Sequence, residues 1–385
     1  MRLKLAAAIL SSTFLTTTPV STFANDLNIN GFLSVGASMM DDNKVQIDGY
    51  DDQGGFKQDT ILGLQVSKQV NDSTTVTGQL VSRGADDYNT ESAWAYASYS
   101  ASDDLDLRMG RLRVPFYYYS DFLEVGYAYD WVRPPAEVYA VPFSSVDGVD
   151  ATYRFSLGNW DNSAQLYYGR FSPSSSGVDL KNFAGLALSG QSGDISLRAS
   201  YHRLEIESDG TGTFGTTNAA AVAGIEATRA IITASGFTDA QVDSAKEDFT
   251  LSGQEIGFYG IAAGYDNGEY SAIAEYTQGF GDVPFLPTAN SMLVKFAKRF
   301  DTLTTHITYT STENELDSGI NEFIQENIIQ AKDKQSSIII GARYDYDDSS
   351  ALKFEVQQLT EDMRPGAGEI DETGMLYSVA IDVVF

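Results

Sequence analysis

The 385 residues contain no cysteine, which excludes disulfides, thiolate metal sites and a cysteine nucleophile. Basic residues are scarce, 25 Lys and Arg against 53 Asp and Glu, so nucleic acid is not expected as a partner. Proline is rare, at nine residues. Beyond residue 24 no apolar run approaches the roughly 20 residues that a membrane-spanning helix requires. Cohesion has to come from burial and backbone hydrogen bonding.

Among what is present, the first 24 residues have the grammar of a secretory leader. Arg2 and Lys4 precede an apolar stretch, Leu5 to Leu15, and a small-residue exit, Pro19 to Ala24. That stretch is short for a membrane anchor and is interrupted by Ser and Thr. Cleavage after Ala24 would remove Arg2 and Lys4, leaving 23 basic residues against 53 acidic ones and a net charge of −30.

The remainder alternates in chemistry with period two. Leu352, Phe354 and Val356 interleave with Lys353, Glu355 and Gln357, and only an extended strand sorts them onto two faces. Ile338, Ile340, Ala342 and Tyr344 likewise oppose Ser337, Gly341, Arg343 and Asp345, as Val149, Ala151, Tyr153 and Phe155 oppose Asp150, Thr152 and Arg154. Such segments predict sixteen strands, at 28–40, 59–70, 74–82, 91–100, 105–112, 147–156, 162–171, 180–190, 194–206, 254–265, 269–280, 290–299, 303–312, 336–346, 351–360 and 373–385. Tight turns, such as Asn71-Asp72-Ser73 and Asp266-Asn267-Gly268, interleave with long connections.

An even number of two-faced strands, joined alternately by short and long connections, predicts a transmembrane antiparallel β-barrel in the outer membrane. Low mean hydropathy is no obstacle, because each strand shows only every second residue to lipid. The many Tyr (22) and Phe (21) suit interfacial girdles. The last strand places Tyr377, Val379, Ile381, Val383 and terminal Phe385 on one face, and such an ending looks like the assembly signal of outer-membrane proteins. The apolar pattern is continuous from residue 28, so residues 25–385 are expected to form one barrel domain behind a leader at 1–24.

Two long connections predict helices. One, 207–253, is Ala-rich from Ala219 to Ile232 and carries a capping-box pattern at Thr238 and Gln241. The other, 313–335, spaces Phe323, Ile324, Ile328 and Ile329 helically. They can be decoration over the mouth or a lid.

The inward faces read from the alternation carry Arg108, Arg154, Arg198, Lys295, Arg343 and Lys353 against Asp106, Asp150, Glu275, Asp345, Glu355 and Asp382. The acidic excess therefore falls in loops and turns, for example Asp41, Asp42, Asp48, Asp51 and Asp52. That distribution predicts cation enrichment at the mouth and weak cation selectivity. No acidic run matches a defined calcium loop, and no metal or cofactor is expected. The two histidines, His202 and His306, lack a serine or carboxylate motif beside them, so catalysis is not expected either.

The segments LDLRMGRLRVPF (from Leu105) and VDGVDATYRF (ending at Phe155) resemble the fifth and sixth strands of the Gram-negative general diffusion porins, which are trimeric sixteen-stranded barrels. The resemblance implies that residues 113–146 form a third loop folded into the lumen. It also implies a constriction with acids drawn from Asp121, Glu124, Asp130 and Glu137. These would face wall cations Arg108, Arg154, Arg111 and Arg113, with Arg198, Lys295, Arg343 and Lys353 along the lumen wall. A homotrimer in lipid and lipopolysaccharide, passing small hydrophilic solutes and ions, follows from the same resemblance; a channel specific for a sugar or organic acid is the alternative. The chain departs from that family in lacking the acidic-aromatic-Gly-Gly loop tip and in carrying Gln65 and Ser98 near the places of two further wall arginines. The loop is aromatic instead, with Phe116, Tyr117, Tyr118, Tyr119, Tyr127, Tyr129 and Trp131.

Overall fold

The computed structural model describes residues 27–41, 49–139, 143–172, 177–208, 212–248, 252–281, 288–315, 318–329, 332–363 and 370–385. Within them lie sixteen strands: β1 (Leu27–Met40), β2 (Ile61–Asn71), β3 (Thr74–Arg83), β4 (Thr90–Ser100), β5 (Leu105–Arg113), β6 (Ser145–Leu157), β7 (Trp160–Phe171), β8 (Val178–Ser192), β9 (Ile195–Ser208), β10 (Ser252–Asp266), β11 (Tyr270–Gly281), β12 (Thr288–Phe300), β13 (Leu303–Glu315), β14 (Lys332–Asp347), β15 (Ser350–Met363) and β16 (Ile370–Val384). Every neighbour in sequence is an antiparallel neighbour in space, and β16 pairs back onto β1 from Phe32↔Val384 to Met40↔Leu376. The sheet therefore closes and leaves no free edge. The expected strands coincide with these within a few residues, the largest difference being four added residues at the start of β14.

The alternation sorts as expected. Leu62, Met109, Val149, Tyr168, Ile340, Phe354 and Ile381 are exposed on the outside of the barrel, where lipid would cover them. At the short-turn end the outer face carries aromatic rings, including the stacked pair Tyr153–Phe155 and the Tyr270 and Phe300 rings that flank the Lys298 ammonium at 5.0 and 4.9 Å. No helix among the described residues is long and apolar enough to cross a membrane.

The two helical loops meet in one small core at the long-loop end. The connection after β9 forms α1 (Gly212–Ala227), α2 (Arg229–Ala234) and α3 (Asp239–Asp248), and the connection after β13 forms α4 (Ile320–Ile324). Ile225, Ile232, Val242 and Ala245 bury against Ile324. The predicted capping box is present: the Gln241 backbone N–H donates to Thr238 Oγ1 (3.3 Å), and the Thr238 N–H donates to Gln241 Oε1 (2.9 Å). The expected single helix over 219–232 is divided at Thr228, whose hydroxyl donates back to the Gly224 carbonyl at 2.8 Å.

Candidate functional site: the third loop within the barrel

On most strands the lumen face is polar, but the long-loop half of β7 to β10 is apolar, and Leu293 of β12 and Ile339 of β14 add single apolar positions beyond it. Tyr167, Leu180, Phe183, Leu204, Ile206, Phe258, Leu293 and Ile339 are all buried. An apolar patch facing water inside a barrel requires a cover, and residues 114–144 supply it. Phe116 packs on Phe258 and His202 (ring centroids 5.0 and 4.7 Å), Tyr117 packs on Phe258, and Tyr119 and Tyr129 pack on Trp131. The loop thus folds into the lumen, and its aromatic run is mostly the packing surface that seats it. Burial pushes the Tyr119, Tyr129 and Tyr139 phenols well above their ordinary value, so they stay neutral.

Polar contacts fix the loop around the circumference. On the β9–β11 side, Phe116 and Pro115 carbonyls accept from Ser200 (2.8 Å) and Arg198 (2.7 Å), and Glu275 accepts from the Tyr118 N–H (2.7 Å) and Tyr139 hydroxyl (2.6 Å). The chain then crosses the lumen through Tyr119 to Glu124. On the far side Glu124 forms ion pairs with Arg83 of β3 and with Arg113 at 3.1 Å. Burial raises the Glu124 carboxyl, but Arg113 and Arg83 more than offset it and hold it below the ordinary carboxylate range.

The loop next passes under β1 and β16. Gly126 sits so close to Asp382 and Ser34 that a Cβ would fall 2.2 and 2.5 Å from their side-chain oxygens. Lys353 donates to the Gly126 and Trp131 carbonyls (2.6 Å each) and pairs with Asp382 (2.8 Å), while Arg343 donates to the Tyr127 and Tyr129 carbonyls. On the return limb Asp130 pairs with Lys295, Trp131 Nε1 donates to Thr308 at 2.8 Å, and buried Glu137 accepts from Ser337. For Asp130 too burial acts upward, but Lys295 prevails and holds the carboxyl well below its usual value.

The predicted site residues divide accordingly. Glu124, Asp130, Glu137, Arg113, Arg198, Lys295, Arg343 and Lys353 come together as anchors of the loop. Asp121 stands apart: it is exposed on the crossing segment and within electrostatic reach of Arg108 and Arg198. Arg108 lies on the wall beside it, bonded through Nε to Asp150 (3.0 Å) and stacked 5.3 Å above the Tyr96 ring.

Two wall residues are not where the resemblance put them. Arg111 shares the outward parity of Leu107 and Met109; it pairs with Asp147 at 2.8 Å and lies against Phe171, so it belongs to the outer rim. Arg154 faces inward but pairs with Asp106 (2.5 Å) next to the short turn after β6, well away from the loop. The sequence reading missed Arg83, Asp59 and Arg133. Arg83 ends β3 and Asp59 precedes β2, positions where alternation gives no direction, while Arg133 is in a loop.

His202 bonds Tyr167 Oη through Nδ1 at 2.8 Å inside the aromatic cluster, and His306 Nε2 lies 3.6 Å from Glu355. Among the described residues no three His, Asp or Glu side chains converge on a common point that could hold a metal ion.

No family model matches the sequence, and no curated protein matches it. Solved structures do match. OmpF of Salmonella typhi, in a complex with daunomycin, is 13% identical, with 93% of this chain and 97% of that one covered and a TM-score of 0.58. The outer membrane channel DcaP of Acinetobacter baumannii is 13% identical over 94% of this chain and 97% of its own, with a TM-score of 0.57. An anion-selective porin from Comamonas acidovorans is 12% identical over 93% and 99%, with a TM-score of 0.56. At such identities the likeness is one of architecture: this chain has the all-β, sixteen-stranded antiparallel barrel fold of these structures.

Proposed function

We propose that the chain is an outer-membrane channel for passive diffusion of small hydrophilic solutes and ions, with weak cation selectivity. The observation that carries the reading is the inward loop held by buried ion pairs, with the exposed carboxylate of Asp121 on the segment that crosses the lumen toward the Arg108 and Arg198 wall. Opposed charges across a narrow aqueous passage orient dipolar solutes and disfavour apolar ones, which cannot replace the water they displace. Most wall cations have an acidic partner of their own, Arg108 with Asp150, Arg343 with Asp345, Lys353 with Asp382 and Lys295 with Asp130, whereas Arg198 donates to the Pro115 carbonyl and Ser189. Part of the acidic excess lies at the long-loop end, on exposed residues such as Asp51 and Asp52, where it would concentrate cations.

General diffusion is favoured over a substrate-specific track because the loop aromatics are largely spent on packing. Within this reading residues 1–24, which lie outside the described residues, are a leader removed on export, residues 25–385 are the barrel, the assembly is a homotrimer in lipid and lipopolysaccharide, and no catalysis is attached. A mature mass starting at Asn25 tests the leader. A reversal potential measured across a potassium chloride gradient tests selectivity: a cation-favouring value is expected, moved toward anions by Asp121→Asn. An anion-favouring value for the unaltered protein would refute it.

A further inference from the structure

β2 parts from β1 early. Their pairing ends at Ser34↔Ile61, although β1 runs on to Met40. The upper half of β1 is instead flanked by the connection between the two strands. Ser38 and Gly55 exchange both backbone hydrogen bonds at 3.1 Å, and the Met40 N–H donates to the Asp51 carbonyl at 2.8 Å. This detour delivers Asp59 through the barrel wall to the lumen side, with its side chain only 2% exposed. The wall makes room for it: a Cβ on Gly36 of β1 would fall 2.5 Å from the Asp59 Cβ.

There Asp59 meets the third loop. Arg133 Nη1 donates to Asp59 Oδ1 at 2.7 Å, and its Nη2 donates to Ser378 Oγ of β16 at 2.6 Å. The Asp59 carboxylate also accepts from Ser38 Oγ (2.5 Å) and from the Tyr50 hydroxyl (2.7 Å), and the guanidinium lies 4.7 Å from the Tyr50 ring. A charge pair in this setting, with each partner bonded to several others, holds one geometry; with one partner removed, the other is left charged and unpaired. Arg133 follows Asp130 and Trp131, which seat the return limb, so a loosened Arg133 frees the limb on which the crossing segment depends.

We propose that Arg133 and Asp59 are positioning residues that couple the first long connection, residues 49–60, to the constriction loop, so that the lumen's narrowest geometry is set partly from outside the barrel. The inference rests on the channel reading and deepens it. Single-channel recording of the full chain in a planar bilayer tests it with Arg133→Gln, Asp59→Asn and the double variant. Brief closures of the open channel should become roughly tenfold more frequent in each single variant, with no further increase in the double, since both remove one link. Heat-modifiable migration should stay that of the folded barrel. Arg133→Lys should restore part of the quiet behaviour, and it serves in place of Arg133→Gln if that variant does not fold. Folded variants as quiet as the unaltered protein, or closures that multiply in the double variant, would overturn the coupling. Absence of current from the unaltered protein would instead overturn the channel reading.

Discussion

At the residue scale, the two arginines that flank Gly110 do different work although they are three positions apart. Arg108 faces the lumen beside Asp150, whereas Arg111 faces outward to Asp147. Replacing Arg108 with alanine should change conductance and move the reversal potential toward cations. Arg111→Ala should leave both within error, because an exposed rim pair contributes at most about 1 kcal/mol and lies outside the passage. Equal electrical effects would place Arg111 in the passage and contradict the outward parity. Parity was readable from the sequence, since Leu107 and Met109 set it, but the resemblance to a family motif drew Arg111 and Arg113 toward the pore together. Arg113 does turn inward, because β5 ends there and Val114 begins the descent; Arg111 does not.

At the scale of elements, the third loop is a small core built inside a barrel. Trp131 is fully buried between Tyr119, Tyr129 and the Lys295 ammonium, 4.7 Å from its ring. Trp131→Ala should weaken loop seating by about 3–5 kcal/mol, read as new protease cleavage within residues 114–139 while the barrel stays folded. Unchanged resistance would show that the ionic anchors alone suffice.

Those anchors also predict a pH response. The Glu124 and Asp130 carboxyls are held below their ordinary values in the seated loop, so the ionised form favours seating. Their contribution is complete above the ordinary carboxylate value and is lost as pH falls through the depressed ones. Current should therefore remain steady from neutral pH to about pH 5 and flicker progressively at lower values. Closures that increase on raising the pH from 7 would have the wrong sign.

The strands themselves were legible because period two is a local property: Leu352 to Gln357 sort onto two faces whatever surrounds them. The loop contacts were not legible. Glu124 with Arg83, or Arg133 with Asp59, join residues far apart in sequence and outside regular strands, where neither alternation nor spacing assigns a direction. The aromatic run from Phe116 to Tyr119 was visible as composition, but that it packs against Phe258 and Phe183 follows only from the closed wall.

At the scale of the whole molecule, the barrel satisfies its backbone polar groups by closing on itself, shows an apolar exterior and encloses charged groups that would be costly anywhere but beside water or a partner. The helices of two loops share one core, so the long-loop end is a built surface, anchored at both the β9–β10 and β13–β14 connections. On the proposed reading these parts surround an aqueous lumen, and conduction is the property to test. Purified, folded protein added to one side of a planar bilayer in potassium chloride should give discrete, stepwise increases in ion current that stay open at low voltage. Heat-modifiable, correctly folded protein that inserts without ever passing current would contradict the account.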